Sequence, residues 1–391
     1  MRDDDVELHA APGSPGIAGH GECHPIRAED GEGLLALAHS LNVDLVVIGP
    51  EAPLVGGVSD ALRRAGIAVF GPGAAAAAIE GSKSFAKEVM ASAGVATAAQ
   101  LAIARPPCVV KADGLAAGKG VFVCRSQDEV DVALRAVGKL GAGVVVEELL
   151  DGPELSLLAL CDGHDALALP PAQDFKRAYD GDEGPNTGGM GSYAPVPGLG
   201  ETQVEGLLET VHRPVLAELG RRGTPFVGVL YAGLILTAGG PRVLEFNCRF
   251  GDPETQSLVP LLGGAFGEAL AAAAAGELAG VALEQLPGAA VTVVLAAGSY
   301  PDQVDRGTPI AGVARAQARG ALVFQAGTAL HGDTLVTNGG RILGVTGLGD
   351  TVATARDAAY AAVSEIEVER ARHRTDIAAA AAAGRTFTLV G

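Results

Sequence analysis

Residues 243–254 read Val243-Leu244-Glu245-Phe246-Asn247-Cys248-Arg249-Phe250-Gly251-Asp252-Pro253-Glu254. The stretch begins as a predicted strand, on which Glu245, Asn247 and Arg249 share one face and the apolar residues between them pack behind. A carboxylate, an amide oxygen and a guanidinium side by side suit a hard cation bound to phosphate oxygens, with the arginine holding an anionic substrate. The alternative, a merely solvated strand face, is disfavoured because the opposite face would bury aromatic residues. The stretch therefore predicts a binding site for an anion on one strand of a sheet.

A glycine-rich loop precedes this strand in the chain. Its sequence is Val109-Val110-Lys111-Ala112-Asp113-Gly114-Leu115-Ala116-Ala117-Gly118-Lys119-Gly120-Val121, which predicts a strand, a turn and a second strand. Glycines let backbone N–H groups approach an anion closely, and the two lysines add positive charge for phosphate. The loop is not a Walker A motif, because that motif has four residues between its glycines and a Ser or Thr after its Lys. A plain β-hairpin turn is the alternative interpretation.

Two further segments place polar residues at strand ends. Residues 144–154 predict a buried strand that ends in acids, where backbone groups suit a purine edge and a later carboxylate suits ribose hydroxyls. An exposed strand end is the alternative. Lys176 precedes the glycine-rich residues 182–197, which predict a long loop without regular structure, and such loops are usually functional. The lysine and loop can close over a transferring phosphoryl group, whereas a flexible surface loop is the other interpretation.

The rest of the chain predicts two flanking units. A strand at 44–48, a helix at 55–65 and a strand at 67–70 form a parallel βαβ unit, in which ligands bind at the carboxyl ends of the strands. After residue 288 a strand, hairpin-like turns and a helix at about 351–369 predict a small unit without recognisable chemistry. We therefore expect an α/β and α+β multidomain protein with domains at 1–80, 81–286 and 287–391.

The composition excludes several classes of protein. The 391 residues predict two or three domains, and 48% hydrophobic against 19% charged residues excludes wholesale disorder. The net charge of −18 argues against nucleic-acid binding through a general basic surface. No apolar run approaches the roughly 18 residues of a membrane span. The acidic N-terminus does not resemble a signal peptide, and five scattered cysteines favour reduced thiols in the cytoplasm.

Taken in chain order, these segments resemble one family. Gly49 to Leu54, Gly81-Ser82-Lys83, the 111–120 loop, 184–191 and 245–254 are similar to the motifs of phosphoribosylamine–glycine ligases, which are ATP-grasp enzymes of purine synthesis. The match runs along almost the whole chain, which chance motif hits do not do. It implies a central ATP-grasp domain between an N-terminal βαβ domain and a small C-terminal α+β domain.

The resemblance also implies a role for each matching residue. ATP phosphates would be held by Lys83, Lys111 and the 114–120 loop with Gly118, Lys119 and Gly120. Adenine would be framed by Glu147, Glu148 and Leu150, with Glu154 on the ribose and Asn186 near the γ-phosphate. Mg²⁺ or Mn²⁺ would be bound by Glu245 and Asn247. Catalytic roles fall to Asp174, Lys176, Arg249 and Asp252. The substrate would be contacted by Asp174, Arg249 and Asp252 together with Glu51, Pro53, Gly189 and Met190. Five of the six lysines, all except Lys139, lie in or beside these segments.

The implied reaction joins glycine to 5-phosphoribosylamine. ATP phosphorylates the carboxylate of glycine, and the amine then attacks this acyl phosphate to give glycinamide ribonucleotide, ADP and phosphate. The protein supplies positioning and charge neutralisation rather than a side-chain nucleophile. The expected partners are these small molecules only, with no nucleic acid and no membrane, and the expected state is a monomer in the cytoplasm.

The chain departs from the family at its start. The family begins with a strand, a G-x-G-G-R-E-H loop expected to bind the phosphate of phosphoribosylamine, and a helix. Residues 1–20 match only the family segment that comes after that loop, at Ala11-Pro12-Gly13-Ser14-Pro15-Gly16. The missing strand would lie in the middle of the parallel sheet, so its loss would remove hydrogen-bond partners on both sides. We expect either a natural start upstream of Met1 or a first domain that folds poorly and binds the amine substrate weakly.

Two other functions stay open at this point. One is a nucleotide-binding module left by such a truncation, which would bind Mg-ATP without turnover. The other is an ATP-grasp ligase for another carboxylate, against which the 49–54 segment argues only through family likeness.

Overall fold

The computed structural model describes residues 6–115 and 120–388. The N-terminal part alternates short strands with helices. Its strands are β1 (His9–Ala10), β2 (Glu22–Cys23), β3 (Val46–Val47) and β4 (Val69–Phe70), and its helices are α1 (Gly31–Leu41), α2 (Glu51–Val55), α3 (Val58–Arg64) and α4 (Ala74–Gly81). Among the described residues the strands form two separate parallel pairs, β1 with β2 and β3 with β4.

The central part is built on two antiparallel sheets. Its strands are β5 (Cys108–Asp113), β6 (Val121–Cys124), β7 (Gly143–Glu148), β8 (Glu154–Asp162), β9 (Ala166–Ala168), β10 (Gln173–Asp174), β11 (Arg177–Tyr179), β12 (Glu183–Asn186), β13 (Gly191–Ala194), β14 (Val227–Thr237), β15 (Gly240–Asn247), β16 (Leu262–Gly263) and β17 (Glu284–Gln285). Its helices are α5 (Lys83–Ala93), α6 (Gln127–Lys139), α7 (Glu201–Leu207), α8 (Arg213–Arg221), α9 (Glu254–Leu258) and α10 (Phe266–Ala275), with a π-helical turn (Leu208–His212) between α7 and α8. One sheet has the order β6-β5-β7 and the other β15-β14-β8-β9.

The C-terminal part continues a sheet that the central part begins. Its strands are β18 (Ala289–Ala296), β19 (Asp305–Ala311), β20 (Leu322–Gln325), β21 (Thr328–His331), β22 (Thr334–Gly339), β23 (Arg341–Gly349) and β24 (Glu367–Val368), and its helices are α11 (Val313–Ala318), α12 (Val352–Val363) and α13 (Ala379–Ala382). The order β10-β13-β18-β23-β20 puts two central strands and three C-terminal strands in one sheet. The C-terminal part is therefore bound to the central part through main-chain hydrogen bonds.

The hydrophobic core reflects this connection. One cluster of buried residues runs from Leu54 in the N-terminal part through Leu157 to Val291 and Ala355. The sheet β6-β5-β7 and α6 instead enclose a core of their own, which includes Val110 and Val130. α6 begins with a capping box between Ser126 and Glu129, which satisfies N–H groups that the helix leaves unpaired. No helix among the described residues is long and apolar enough to cross a bilayer.

The multidomain α/β and α+β fold class is confirmed, whereas the prediction of an irregular loop at 182–197 is wrong. That segment contains β12 and β13. β13 pairs with β10 and with β18, which begins about a hundred residues later. Because β13 gains one of its two partners from so far along the chain, its glycine- and proline-rich surroundings do not reveal it. The proposed domain boundaries stay predictions.

Candidate active site

Glu245 and Asn247 lie on β15, as the alternating pattern predicts. In the antiparallel pairing of β14 with β15, Gly233 is opposite Glu245 and Tyr231 is opposite Asn247. No described residue donates a hydrogen bond or forms an ion pair to the Glu245 carboxylate, and Asn247 Oδ1 accepts only a long bond of 3.5 Å from Arg249. A Cβ atom at Gly233 would lie 3.3 Å from Glu245 Cγ. Gly233, which has no side chain, leaves space beside the oxygens of Glu245 and Asn247. Two such oxygen ligands fit a hard divalent cation.

Two of the predicted phosphate-binding lysines flank this strand. Lys111 Nζ donates to the carbonyl oxygen of Leu244 at 2.9 Å, next to Glu245. Lys83 Nζ donates to the carbonyl oxygen of Gly114 at 3.1 Å. Burial lowers the pKa of the Lys83 ammonium, the charge of Lys111 lowers it further, and the carboxylate of Glu245 opposes both. The lysines and the carboxylate therefore share one electrostatic environment.

The position of Lys83 follows from how α5 begins. Ser82 caps the helix by accepting from the N–H of Phe85 at 3.1 Å. The Asp113 carboxylate, at the end of β5, accepts from Ser82 Oγ at 3.1 Å and from the N–H of Ser84 at 3.2 Å. Asp113 thus fixes the first turn of α5 against the end of β5.

Glu147 lies in a buried network of two lysines. Its Oε1 is 2.6 Å from Lys87 Nζ, its Oε2 is 2.6 Å from Lys111 Nζ, and its side chain is 4% exposed. Lys87 also donates to Thr97 Oγ1 at 3.0 Å. Both oxygens of Glu147 therefore hold lysines in this structure, and its expected contact with adenine stays a prediction. Sequence reasoning did not assign Lys87, although its place one helical turn after Lys83 is a usable signal.

Lys176 is held between two acids. Its Nζ is 2.7 Å from Glu154 Oε2 and 3.2 Å from Asp174 Oδ1. Burial alone would lower the pKa of Lys176, but the carboxylates of Asp174 and Glu154 outweigh it and raise that pKa well above its ordinary value. Burial raises the pKa of Asp174, which the Lys176 charge opposes. The lysine therefore stays protonated and available to an anionic phosphoryl group.

Glu254 is a further buried carboxyl, and it lies close to Asp174 and Lys176. Tyr231 Oη donates to Glu254 Oε1 at 2.7 Å and is 2.9 Å from Ser156 Oγ. Burial, together with the charge of Asp174, raises the pKa of Glu254 to about 7. Neither Glu254 nor Tyr231 was assigned from sequence, although Glu254 ends the stretch that predicted the site.

Arg249 connects the central part to the N-terminal part. Its guanidinium is 3.5 Å from Glu51 Oε2 and 3.5 Å from Glu80 Oε1. Glu80 also accepts from the N–H of Cys248 at 2.8 Å. Burial raises the pKa of Glu80, against the opposing charge of Arg249. Glu80 was not assigned from the sequence, although it directly precedes the Gly81-Ser82-Lys83 motif.

Asp252 connects the central part to the C-terminal part. Arg341, at the start of β23, places its Nη2 at 2.9 Å from Asp252 Oδ2. Arg341 Nη1 donates to the carbonyl oxygens of Gly188 and Asp252, both at 2.7 Å. The N–H of Gly188 donates to Tyr300 Oη at 3.0 Å. The C-terminal part, in which the sequence showed no chemistry, thus holds both Asp252 and the glycine-rich segment.

The glycine at position 189 is required by its surroundings. Its φ is +105°, and a Cβ atom there would lie 2.4 Å from Pro253 Cδ. A larger residue would separate the 184–191 segment from the Asp252 segment.

The remaining predicted residues occupy varied positions. Glu148 accepts from the N–H of Ala99 at 2.8 Å and lies 3.4 Å from Arg242 Nη1. Asn186 Nδ2 donates to the carbonyl oxygen of Val121 at 3.4 Å and lines a cleft of about 510 Å³ beside α6. Pro53, Met190 and Gly120 are buried, and Leu150 is half-buried. Gly118 and Lys119 lie outside the described residues.

Models of one known protein family match most of the chain. Three profiles match: Phosphoribosylglycinamide synthetase, N domain, at residues 2–80; its ATP-grasp (A) domain at 81–255; and its C domain at 290–380. The chain is 52% identical to the phosphoribosylamine–glycine ligase of Streptomyces coelicolor, over 97% of this chain and 94% of the relative. It is 48% identical to that of Corynebacterium ammoniagenes, over 97% of this chain and 93% of the relative.

Solved structures agree with these matches. The crystal structure of phosphoribosylamine–glycine ligase from Thermotoga maritima aligns with a TM-score of 0.80 and 35% identity, and covers 96% of this chain and 94% of its own. A biotin carboxylase domain from Hydrogenobacter thermophilus, solved in complex with Mg-ADP, aligns with a TM-score of 0.66 at 17% identity, over 90% of this chain and 81% of its own. The second likeness concerns the fold alone.

Proposed function

The chain belongs to the phosphoribosylglycinamide synthetase family, and from that premise we propose how its own residues carry out the reaction. It is an ATP-grasp ligase that joins glycine to 5-phosphoribosylamine with the conversion of ATP to ADP and phosphate. The roles given to single residues are proposals.

Glu245 and Asn247 are proposed to hold Mg²⁺, or Mn²⁺ in its place. Support comes from a carboxylate that no described residue neutralises by direct contact and from an amide oxygen on the same strand face. When bound, the ion would neutralise phosphate oxygens of ATP and orient the γ-phosphate. Lys83 and Lys111 are proposed to bind the same phosphates from the other side of the strand end.

In the first step a carboxylate oxygen of glycine attacks the γ-phosphorus, and the bond to the β-phosphate oxygen breaks. The glycine carboxylate, the γ-phosphate and the β-phosphate all carry negative charge. Cations must therefore neutralise this charge before the carboxylate can reach the phosphorus. Lys176 and Arg249 are proposed to do so: the carboxylates of Asp174 and Glu154 keep Lys176 protonated, and an arginine carries its charge at any ordinary pH. The products are glycyl phosphate and ADP.

In the second step the amine of phosphoribosylamine attacks the acyl carbon. A C–N bond forms, the C–O bond to phosphate breaks, and the amine releases one proton. The protein contributes orientation. Asp252 and the 188–190 segment are proposed to position the substrate, with Arg341 holding both in place.

One observation carries the proposal. In a chain of net charge −18, Lys111 donates to the carbonyl oxygen next to Glu245, and Glu245 itself forms no ion pair among the described residues. The charge of Glu245 also acts on Lys83 and Lys176. Lysines beside a carboxylate that is free to bind a metal are what a Mg-nucleotide requires.

The test is Glu245→Gln, which removes the charge and preserves the shape. Turnover, measured as ADP release that depends on both glycine and phosphoribosylamine, should fall at least about 100-fold, with an unchanged circular dichroism spectrum. The matched control is Glu268→Gln, because Glu268 is an exposed glutamate on α10. Retained activity in Glu245→Gln would overturn the metal assignment.

The same assay separates the other interpretations. A nucleotide-binding module would bind Mg-ATP, measured by calorimetry, without releasing ADP when all substrates are present. A ligase for another carboxylate would turn over faster with a different member of an amino-acid panel. The monomeric state and the cytoplasmic location stay predictions, which sedimentation and cell fractionation would check.

A further inference from the structure

Three potential metal ligands lie on one face of the β1–β2 pair, in the N-terminal part of the chain. The register places His9 opposite Glu22. His24 follows Glu22 by two residues, and its N–H donates to the carbonyl oxygen of Ala10 at 2.8 Å. Because side chains two apart point to the same face of extended chain, His9, Glu22 and His24 converge. None of the three belongs to the proposed ligase site.

The distances between these side chains suit a single ion. His9 Nδ1 is 3.1 Å from His24 Nε2 and 3.9 Å from Glu22 Oε2, and the three ligand atoms lie within 4.8 Å of one another. Bonds of about 2.0–2.2 Å from zinc to nitrogen and oxygen place tetrahedral ligand atoms roughly 3.3–3.5 Å apart. Modest rotation of the exposed Glu22 side chain would bring its oxygen to that separation.

A fourth residue lies beside one of the histidines. Glu7 Oε1 is 3.3 Å from His9 Nε2, the ring nitrogen that faces away from His24, and the Glu7 side chain is exposed. A small rotation of this side chain would let it accept from Nε2–H and so favour the tautomer in which Nδ1 carries the free lone pair. Histidines that bind metals usually have such a partner on their other nitrogen.

We propose that His9, Glu22 and His24 form a binding site for a zinc-type divalent transition metal, with water as a further ligand. Two imidazoles and one carboxylate suit Zn²⁺, whereas Mg²⁺ prefers oxygen ligands throughout. The site is distinct in chemistry from the oxygen donors Glu245 and Asn247. Its effect is structural: the ion joins β1 to β2, strands of only two residues each.

The alternative is a hydrogen bond between the two rings without metal. In that arrangement His24 Nε2–H donates to His9 Nδ1, and Glu22 has no part in it. The two arrangements make different predictions for Glu22 and for the binding of added metal.

The experiment uses the full chain, stripped of metal with a chelator and dialysed into buffer with Mg²⁺ in excess. Zn²⁺ is titrated by calorimetry, and Co²⁺ serves as a spectroscopic probe because its visible absorption reports coordination by nitrogen in tetrahedral geometry. We expect one ion per chain and a higher midpoint of thermal unfolding with Zn²⁺. His9→Ala and His24→Ala should abolish this binding, and Glu22→Gln and Glu7→Gln should weaken it about 10-fold or more.

Two controls address unspecific binding. His39→Ala removes an exposed histidine of α1 in the same part of the chain, and Cys23→Ser removes the free thiol between Glu22 and His24. Both variants should bind Zn²⁺ like the parent. The proposal is overturned by absence of binding to the parent, by equal affinity in His24→Ala, or by loss of binding in Cys23→Ser. A Glu22→Gln variant that binds like the parent would leave a two-histidine contact and refute the three-ligand site.

Discussion

We expect the native protein to become less stable as pH rises, because of Glu254. Replacing Glu254 with glutamine should abolish this pH dependence. Glu254 is 3% exposed, and its Oε1 accepts from Tyr231 Oη at 2.7 Å. Burial, with the charge of Asp174, raises its pKa from 4.5 to about 7. Between these two values the carboxyl is protonated in the folded protein and ionised in the unfolded chain. The folded state then binds more protons, so the free energy of unfolding falls as pH rises.

The magnitude follows from the two pKa values. The contribution of Glu254 is fully present below pH 4.5 and is lost as pH rises through about 7. Taking 1.36 kcal/mol for each unit between 4.5 and about 7, the total is about 3 kcal/mol. Glutamine keeps an oxygen that accepts from Tyr231 and cannot ionise. The free energy of unfolding of the variant should therefore rise by about 3 kcal/mol relative to that of the native protein between low and neutral pH.

The assay is urea unfolding at several pH values from 5 to 8, followed by circular dichroism and by tyrosine fluorescence. Coincident transitions are required before a free energy is derived, because a protein of three domains can unfold in steps. Glu268→Gln controls for the removal of one exposed carboxylate. If the difference in unfolding free energy between Glu254→Gln and the native protein stays constant from pH 5 to 8, the carboxyl is not protonated in the fold and the reasoning is refuted.

Two further substitutions test the links between the parts of the chain. Arg341→Met removes an ion pair and two hydrogen bonds to main-chain carbonyls, so we expect kcat/KM for glycine to fall about 10- to 100-fold while Mg-ATP binding is retained. Steady-state kinetics and nucleotide titration check this, and Arg306→Met, at an exposed arginine, is the control. Equal losses of kcat/KM in both variants would contradict the expectation. Glu80→Gln keeps the acceptor for the N–H of Cys248 and removes the charge beside Arg249, so kcat should fall about 10-fold without a change in fold; unchanged kinetics would show that Glu80 does not position Arg249.

Local patterns predicted the central strands closely. The first strand predicted in the 109–121 segment falls on β5, and the strand predicted from residue 144 falls on β7. Both strands carry their own signal, because each contains a short run of β-branched residues. β13 carries no such signal, because one of its two partners, β18, begins about a hundred residues later. Sequence reasoning therefore missed it.

The site divides in the same way. The strand period was sufficient to place Glu245 and Asn247 on one strand, because that inference needs only the local backbone. Arg249, predicted on the same strand face, lies beyond the end of β15. Arg341 contacts Asp252 across 89 residues, and Glu80 contacts Cys248 across 168. No spacing rule reaches over such distances, so residues that hold the site from neighbouring domains become visible only in the folded chain.

The distances within the site separate two kinds of ion pair. Glu147 holds Lys111 at 2.6 Å in a buried position, whereas Glu51 and Glu80 hold Arg249 at 3.5 Å with 24% of the arginine side chain exposed. A short buried pair is costly to separate, because either charge left alone would be desolvated without a partner. The pair of Arg249 with Glu51, in which both side chains are partly exposed, costs less to open, whereas Glu80 is only 9% exposed and would be left buried without a partner. The lysine is therefore fixed in place, and we expect the arginine to exchange Glu51, not Glu80, for the carboxylate of a substrate. Because Glu51 belongs to the N-terminal part, such an exchange would couple substrate binding to the contact between the two parts.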